Sequence, residues 1–431
     1  MLHRLLVPML GRWIDFAGSS VGKSMLIYAA ALAAAGLTPF ILLPVLTKLL
    51  SPTEFGKATS FLIFAVMIGN FAGLSSHGFV SVRYFKAEPA EFKEIVSSAV
   101  LCICAAHLLV LVLLPLLLPV LATWFDLSPR VSAFAVLAAL LVSLNQVFLA
   151  IFQSTGNPML YLRARVVQAA AEILICIVLV VTIAPDATSR IASYAIAMAA
   201  SVYLGLCFCR TKNYLGLAWS RRGIKSLLAF SVPMAPHILA GTAITYIDRV
   251  IVSSFLGVDS LGIYMVGMQI GMAMSLLIEP MNKAFAPWLF EQLAKRDPSV
   301  NRMVVNYTYR FYVGLIAAAL VVIIASQALF DRVIGAQYAA ARPLIPWMVM
   351  GFVFQGIYYS VVNYIFYAER TGKLSMISSA SALCGGLLSY VLVSQWGMAG
   401  AGVSFTLTNL VLFVLAWLLA SRVVPMPWFS R

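Results

Sequence analysis

Long apolar runs, each closed by a short polar connector, recur along the whole chain. Twelve are long enough to cross a hydrocarbon core of about 30 Å. They cover residues 24–48, 57–83, 95–122, 131–154, 161–183, 191–209, 227–254, 261–280, 303–325, 343–368, 374–394 and 399–420. The pattern predicts an all-α polytopic membrane protein with twelve transmembrane helices, in which the bilayer is the solvent and the helices satisfy their own backbone polar groups.

Composition agrees. Of 431 residues, 62% are hydrophobic and only 10% charged, against about a quarter charged in a soluble domain; the mean hydropathy is +0.97. The net charge of +14 lies mostly in connectors. Alternating the spans puts 21 of the 29 Lys and Arg on one side and six on the other, and leaves Arg249 and Arg310 within spans. Such asymmetry marks the cytoplasmic face, so both termini are expected there. The charge is read as an orientation signal, with no nucleic-acid partner. Residues 1–23 read as a cytoplasmic amphipathic segment, 210–226 as a basic cytoplasmic linker and 421–431 as a cytoplasmic tail.

The longest connectors, Arg210–Lys225 and Lys283–Arg302, are too short to hold a soluble catalytic domain. No enzyme activity and no catalytic residue is expected. All six cysteines fall inside apolar runs and read as small hydrophobes. Cys102, Cys104 and His107 do not have zinc-ligand spacing, and His3, His77 and His237 are scattered, so no metal is expected. "AGSSVGKS" (Ala17–Ser24) nearly spells a phosphate-binding loop but lacks the preceding strand that such a loop requires.

The chain also echoes itself. "LLSPTEFG" (Leu49–Gly56) and "FLGVDSLG" (Phe255–Gly262) both close an outward span with an acidic turn and reopen it with glycine, 206 residues apart. This suggests two six-helix lobes, 24–209 and 227–420, of the same orientation, with a substrate site between them. Pro39 and Pro44 in the first span, and Pro233 and Pro236 in the seventh, are expected to bend the leading helix of each lobe.

Polar side chains interrupt many spans. Asp248 and Arg249 adjoin in "TYIDRVIVSSFLG", with Thr245 and Tyr246 on the arginine's face. Glu279 ends a stripe with Gly271 and Ser275, and Gly267-Met-Gln-Ile-Gly271 permits close helix approach. Asn306 and Arg310 are four residues apart; Gln355, Tyr359 and Asn363 share a stripe; Asn70, Gln146 and Glu172 punctuate spans two, four and five. One reading is interhelical hydrogen bonding that only pins packing. The other is a polar cavity, in which aromatic faces suit sugar rings, amides suit hydroxyls and arginines suit phosphate or acidic sugars. On that reading Arg249, Arg310, Asn70, Gln146, Tyr246, Asn306, Gln355, Tyr359 and Asn363 line the cavity, and Asp248, Glu279 and Glu172 add acidic groups to the spans.

Three stretches together, "LLPVLTKLLSPTEFGKATSF", "YIDRVIVSSFLGVDSLGIYMVGMQIG" and "WGMAGAGVSFTLTNLV", resemble polysaccharide (O-antigen or exopolysaccharide) flippases of the multidrug/oligosaccharidyl-lipid/polysaccharide exporter superfamily. The resemblance implies two six-helix lobes around a central cavity. It implies movement of undecaprenyl-diphosphate-linked oligosaccharide from the cytoplasmic to the periplasmic leaflet of a bacterial inner membrane by alternating access, coupled to an ion gradient with H+ or Na+ as candidate ions, Asp248, Glu279 and Glu172 as the candidate coupling or gating residues, and no other cofactor. The family's Asp-Arg pair falls on Asp248 and Arg249. Membrane lipids and polysaccharide polymerase or chain-length machinery are the implied partners. A drug or cation antiporter and a peptidoglycan-precursor flippase of the same superfamily are the alternatives.

Overall fold

Helix starts are written into the connectors. Proline opens five of the long helices, where its missing N–H costs nothing. Ser128, Asp186 and Asp297 each accept a hydrogen bond from a first-turn backbone N–H, of Val131 (3.5 Å), Ser189 (2.8 Å) and Ser299 (2.8 Å). At Asp297 that bond, with another from the Ser299 hydroxyl, holds the carboxyl below its usual pKa.

The computed structural model describes residues 20–216, 219–295 and 297–428. The expected amphipathic segment lies outside the described residues up to position 19, as do Arg296, two positions of the basic linker and the last three of the tail. The helices are α1 (Ser20–Leu49), α2 (Pro52–Ala72), α3 (Ser76–Tyr84), α4 (Pro89–Phe125), α5 (Pro129–Ser154), α6 (Pro158–Thr182), α7 (Ala187–Thr211), α8 (Arg221–Leu256), α9 (Val258–Ala294), α10 (Pro298–Val333), α11 (Ile345–Tyr367) and α12 (Thr371–Val423), with a 3-10 helix over Ala336–Leu344.

Ten of the described helices are long and apolar enough to cross a membrane. One is α12, which breaks at Gly397 (φ 56°, ψ −131°), in the left-handed region that glycine enters without a Cβ penalty. The break separates the two spans expected over 374–394 and 399–420. The ten do not include α8, whose 36 residues carry Asp248 and Arg249 and run as one helix through Pro233 and Pro236. The set is compatible with twelve crossings.

Span two departs from expectation. The chain breaks at Leu74 and Ser75, both at positive φ (52° and 48°), so one expected helix becomes α2 and α3. The carbonyls near the break are occupied by side chains: Ser143 Oγ donates to Gly69 O at 3.0 Å, and Ser231 Oγ donates to Leu74 O. Gly69 O also keeps its helical bond from the Gly73 N–H at 3.0 Å, so the carbonyls at the break are satisfied partly by side chains remote in sequence.

The described chain forms two compact units, one comprising residues up to 42, 61–118 and 128–238, the other 43–60, 119–127 and 239–428. In the first, Phe79, Phe92, Ile103, Phe148, Phe152 and Leu227 build an apolar cluster. Edge-on ring pairs Tyr84–Phe92 and Phe92–Tyr214, each at 5.2 Å, extend it. In the second, Leu289, Val304, Tyr364, Ile365, Ala416 and Trp428 form another cluster, with Tyr364 and Trp428 rings 5.7 Å apart. Elsewhere large apolar side chains point outward, such as Leu116, Val313 and Leu383 at 76%, 67% and 72% exposure. A lipid solvent accepts such faces without cost.

The 206-residue echo has a geometric counterpart within the second unit. A Cβ built on Gly56 would overlap the Val258 carbonyl oxygen, with its carbon only 2.8 Å away; one built on Gly262 would overlap the Pro52 carbonyl oxygen, with its carbon at 3.0 Å. Pro52 and Val258 open α2 and α9, and they are themselves 206 residues apart. Each glycine therefore receives the first carbonyl of the other repeat's helix. Such reciprocity is the signature of a two-fold contact between equivalent surfaces. Gly335 receives the Thr47 carbonyl in the same close fashion, and Gln337 Nε2 donates to Thr47 O and Leu50 O, both at 2.9 Å.

Candidate functional site

The Asp248–Arg249 pair is a closed arrangement. The two side chains are each 11% exposed, and Asp248 Oδ1 accepts from Arg249 Nη1 at 3.3 Å and from the Arg249 backbone N–H at 2.9 Å. Oδ2 accepts from the Tyr264 hydroxyl at 2.5 Å. The Arg249 guanidinium also donates to the Thr245 carbonyl and lies over the Tyr246 ring, 5.3 Å from its centroid. Both carboxylate oxygens are thus engaged, and the charge of Arg249 is neutralised beside an aromatic face. Tyr264, fully buried on α9, was not among the expected site residues; a tyrosine in an apolar run gives no local hint of a partner 16 residues away.

Arg310 contrasts with Arg249. It is exposed on α10, packs over the Tyr307 ring at 5.7 Å, and joins none of the ion pairs among the described residues. Asn306, one turn earlier, is exposed as well. On α11, Asn363 is buried and donates to Asn282 Oδ1 of α9 at 2.8 Å. Gln355 and Tyr359 are half-buried, and Tyr359 lies within electrostatic range of the exposed Glu279. Gly271 allows this α9–α11 approach: a Cβ there would come within 2.7 Å of Met348 Cβ.

In the first unit, Asn70 and Gln146 are half-buried. The buried hydrogen bonds run instead through Asn145, whose Nδ2 donates to Gln168 Oε1 (3.4 Å) and whose Oδ1 accepts from Ser201 (2.7 Å), joining α5, α6 and α7. Glu172 is paired with Arg190 at 2.7 Å, each side chain 10% exposed. Arg190 had been expected in an outer connector; the structure places it in the first turn of α7, with Ser193 beside it. His107 uses both ring nitrogens on protein atoms, Ile103 O at 2.8 Å and Ser143 Oγ at 3.4 Å. No group of three potential metal ligands occurs among the described residues.

Helices of this number, length and hydropathy, with buried ion pairs and polar stripes among them, define a multi-pass membrane protein. A sequence profile for the family described as "Polysaccharide biosynthesis protein" matches residues 21–293, and the chain belongs to that family. A Haemophilus influenzae protein, "Lsg locus putative protein 1", is 26% identical over 157 residues, which span 36% of this chain and 38% of that one. Among solved structures, "Lipid II flippase MurJ, inward closed conformation" aligns with TM-score 0.70 and 14% identity over 91% of this chain and 87% of that one. An inward-facing multidrug resistance MATE family transporter of the MOP superfamily aligns with TM-score 0.67 and 12% identity over 94% and 96%. A MOP superfamily transporter from Pyrococcus furiosus gives 0.57 and 12% over 92% and 93%. These likenesses establish the fold.

Proposed function

We propose that the protein is a flippase that carries undecaprenyl-diphosphate-linked oligosaccharide from the cytoplasmic to the periplasmic leaflet of the inner membrane, with both termini cytoplasmic. Family membership supports the polysaccharide context, and the MOP-superfamily fold supports alternating access between two six-helix lobes. A sugar head with many hydroxyls cannot cross hydrocarbon unaided; a polar path shelters the head while the lipid tail stays in the bilayer.

The observation that carries this reading is Arg310, an exposed arginine on a membrane-length helix with no carboxylate partner among the described ion pairs. Unpaired intramembrane cations usually face a water-filled path and mark substrate passage. Arg310 is assigned to the diphosphate or an acidic sugar. Arg249, already neutralised by Asp248, is assigned to shaping the path; Asn306, Gln355, Tyr359 and Asn363 offer hydroxyl partners, as do Tyr246, Asn70 and Gln146. Protonation or cation binding at Glu279 or Asp248 would bias the inward–outward equilibrium through differential affinity. Polysaccharide polymerase is the expected downstream partner, and the protein itself performs no bond chemistry. An antiporter of small cations would not place an uncompensated arginine here, which favours the anionic substrate.

Replacing Arg310 tests the assignment. A charge-assisted hydrogen bond to phosphate is worth roughly 1.5–3 kcal/mol, so Arg310→Ala is expected to lower polysaccharide export at least tenfold at unchanged membrane abundance. Arg310→Lys retains most of it. Surface polysaccharide measured against membrane protein level decides the matter: full export by Arg310→Ala removes Arg310 from the path.

A further inference from the structure

The α7–α8 connector is tied down against α4. Ser97 Oγ accepts from the Gly216 N–H and Ser98 Oγ from the Ser220 N–H, both at 3.1 Å. Lys93 Nζ donates to Asn213 Oδ1 at 2.7 Å. A cleft of about 380 Å³ opens between them, walled by Val100, Leu101 and Cys104 of α4 and by Leu215, Trp219 and Arg210. That volume falls in the usual range of small-molecule sites, about 300–1,000 Å³. All of these residues belong to the first compact unit.

The walls are chemically divided. Leu101 and Cys104 are exposed, and α4 continues beyond them with Leu108 and Leu109 at 61% and 58% exposure, an apolar strip of the kind that contacts acyl chains. At the other end stand exposed Arg210, which joins none of the described ion pairs, and Trp219 at 58% exposure. Lys212 of the connector and Arg221 and Arg222 at the start of α8 follow, exposed and equally outside those ion pairs. Tryptophan favours the headgroup level of a bilayer, and basic side chains near an anionic membrane surface are attracted to it. A cation beside an indole at the mouth, with an apolar strip running away from it, matches a molecule with an anionic head and a hydrocarbon tail.

We infer that this cleft is a binding site for an anionic phospholipid of the surrounding bilayer, with its phosphate on Arg210, its glycerol region against Trp219 and one acyl chain along Leu101, Cys104 and Leu108. The site lies on the connector between the chain halves, so an occupied cleft braces that connector against α4. The inference concerns bulk lipid and does not depend on the identity of the transported substrate.

Native mass spectrometry of the detergent-purified protein tests it, using equimolar phosphatidylglycerol and phosphatidylcholine with identical chains. Retention of phosphatidylglycerol at least fivefold over phosphatidylcholine is expected. Arg210→Gln and Trp219→Ala reduce that ratio to below two, Arg210→Lys preserves it, and Arg332→Gln, at an exposed arginine of α10, leaves it unchanged. Arg210 and Trp219 are exposed, so their variants fold, which circular dichroism verifies. Equal retention of the two lipids, or an undiminished preference in Arg210→Gln, would overturn the site. Displacement of the bound lipid by an equal concentration of free glycerol phosphate would overturn the lipid assignment, because it would show that the apolar strip contributes nothing.

Discussion

Glu172→Ala is expected to destabilise the folded protein by about 3–5 kcal/mol, because it strands the Arg190 guanidinium in the interior without a counter-charge. The two groups are 2.7 Å apart and each 10% exposed, so neither reaches water by a small adjustment. Arg190→Ala should cost a similar amount by stranding the carboxylate. The double replacement Glu172→Leu with Arg190→Met removes both charges and is expected to recover most of the loss, since apolar substitutes for a buried pair are often neutral. Thermal unfolding in detergent across the four proteins gives the coupling energy as a double-mutant cycle. The same set separates two roles for Glu172. If the neutral pair transports normally, the ion pair only clamps α6 to α7; if it folds normally but no longer responds to an ion gradient, Glu172 belongs to the coupling machinery.

The second large effect is expected at the reciprocal glycines. Gly56→Val and Gly262→Val each force a side chain into the first carbonyl of the partner helix. Overpacking of this kind costs about 1–3 kcal/mol where neighbours can shift, and backbone shifts less readily than a side chain. Each variant should therefore lose folded protein in the membrane. Because the contacts are related by the 206-residue repeat, the two losses should be alike in size, whereas Gly241→Val, at a position where a Cβ meets nothing within 4 Å among the described residues, should leave membrane abundance nearly unchanged. Fluorescence-detected size exclusion of the three variants reads this out. A tolerated Gly56→Val beside a lethal Gly262→Val would dismiss the equivalence.

The spans, the repeat and the Asp248–Arg249 pair are legible in the sequence because each is local. Hydropathy over some twenty residues marks a helix, two similar octapeptides mark a repeat, and adjacent charges are visible by inspection. Even the break at Gly397 shows as a short gap, Gln395-Trp-Gly-Met398, between apolar runs. What the sequence conceals is which face of each helix meets which neighbour. Arg190 looks like an ordinary connector cation until α7 begins about one turn earlier than hydropathy suggests and turns it toward Glu172. Tyr264 and Asn145 look like unremarkable members of apolar runs, yet one holds Asp248 and the other joins three helices. The split of span two at Leu74 is also hidden, because the side chains that occupy the nearby carbonyls come from Ser143 and Ser231, far along the chain. Partner choice across helices depends on rotational phase and tilt, which a hydropathy profile does not contain.

The most direct test of the proposed function is transport by the purified protein in liposomes. A fluorescent undecaprenyl-diphosphate-linked oligosaccharide is placed in one leaflet, and its arrival in the other is followed by accessibility to a membrane-impermeant quencher. The account predicts flipping at least tenfold faster than in protein-free liposomes, slowed at least tenfold by Arg310→Ala and accelerated by an imposed H+ or Na+ gradient. Flipping no faster than in protein-free liposomes, with folded protein present in the membrane, would contradict it.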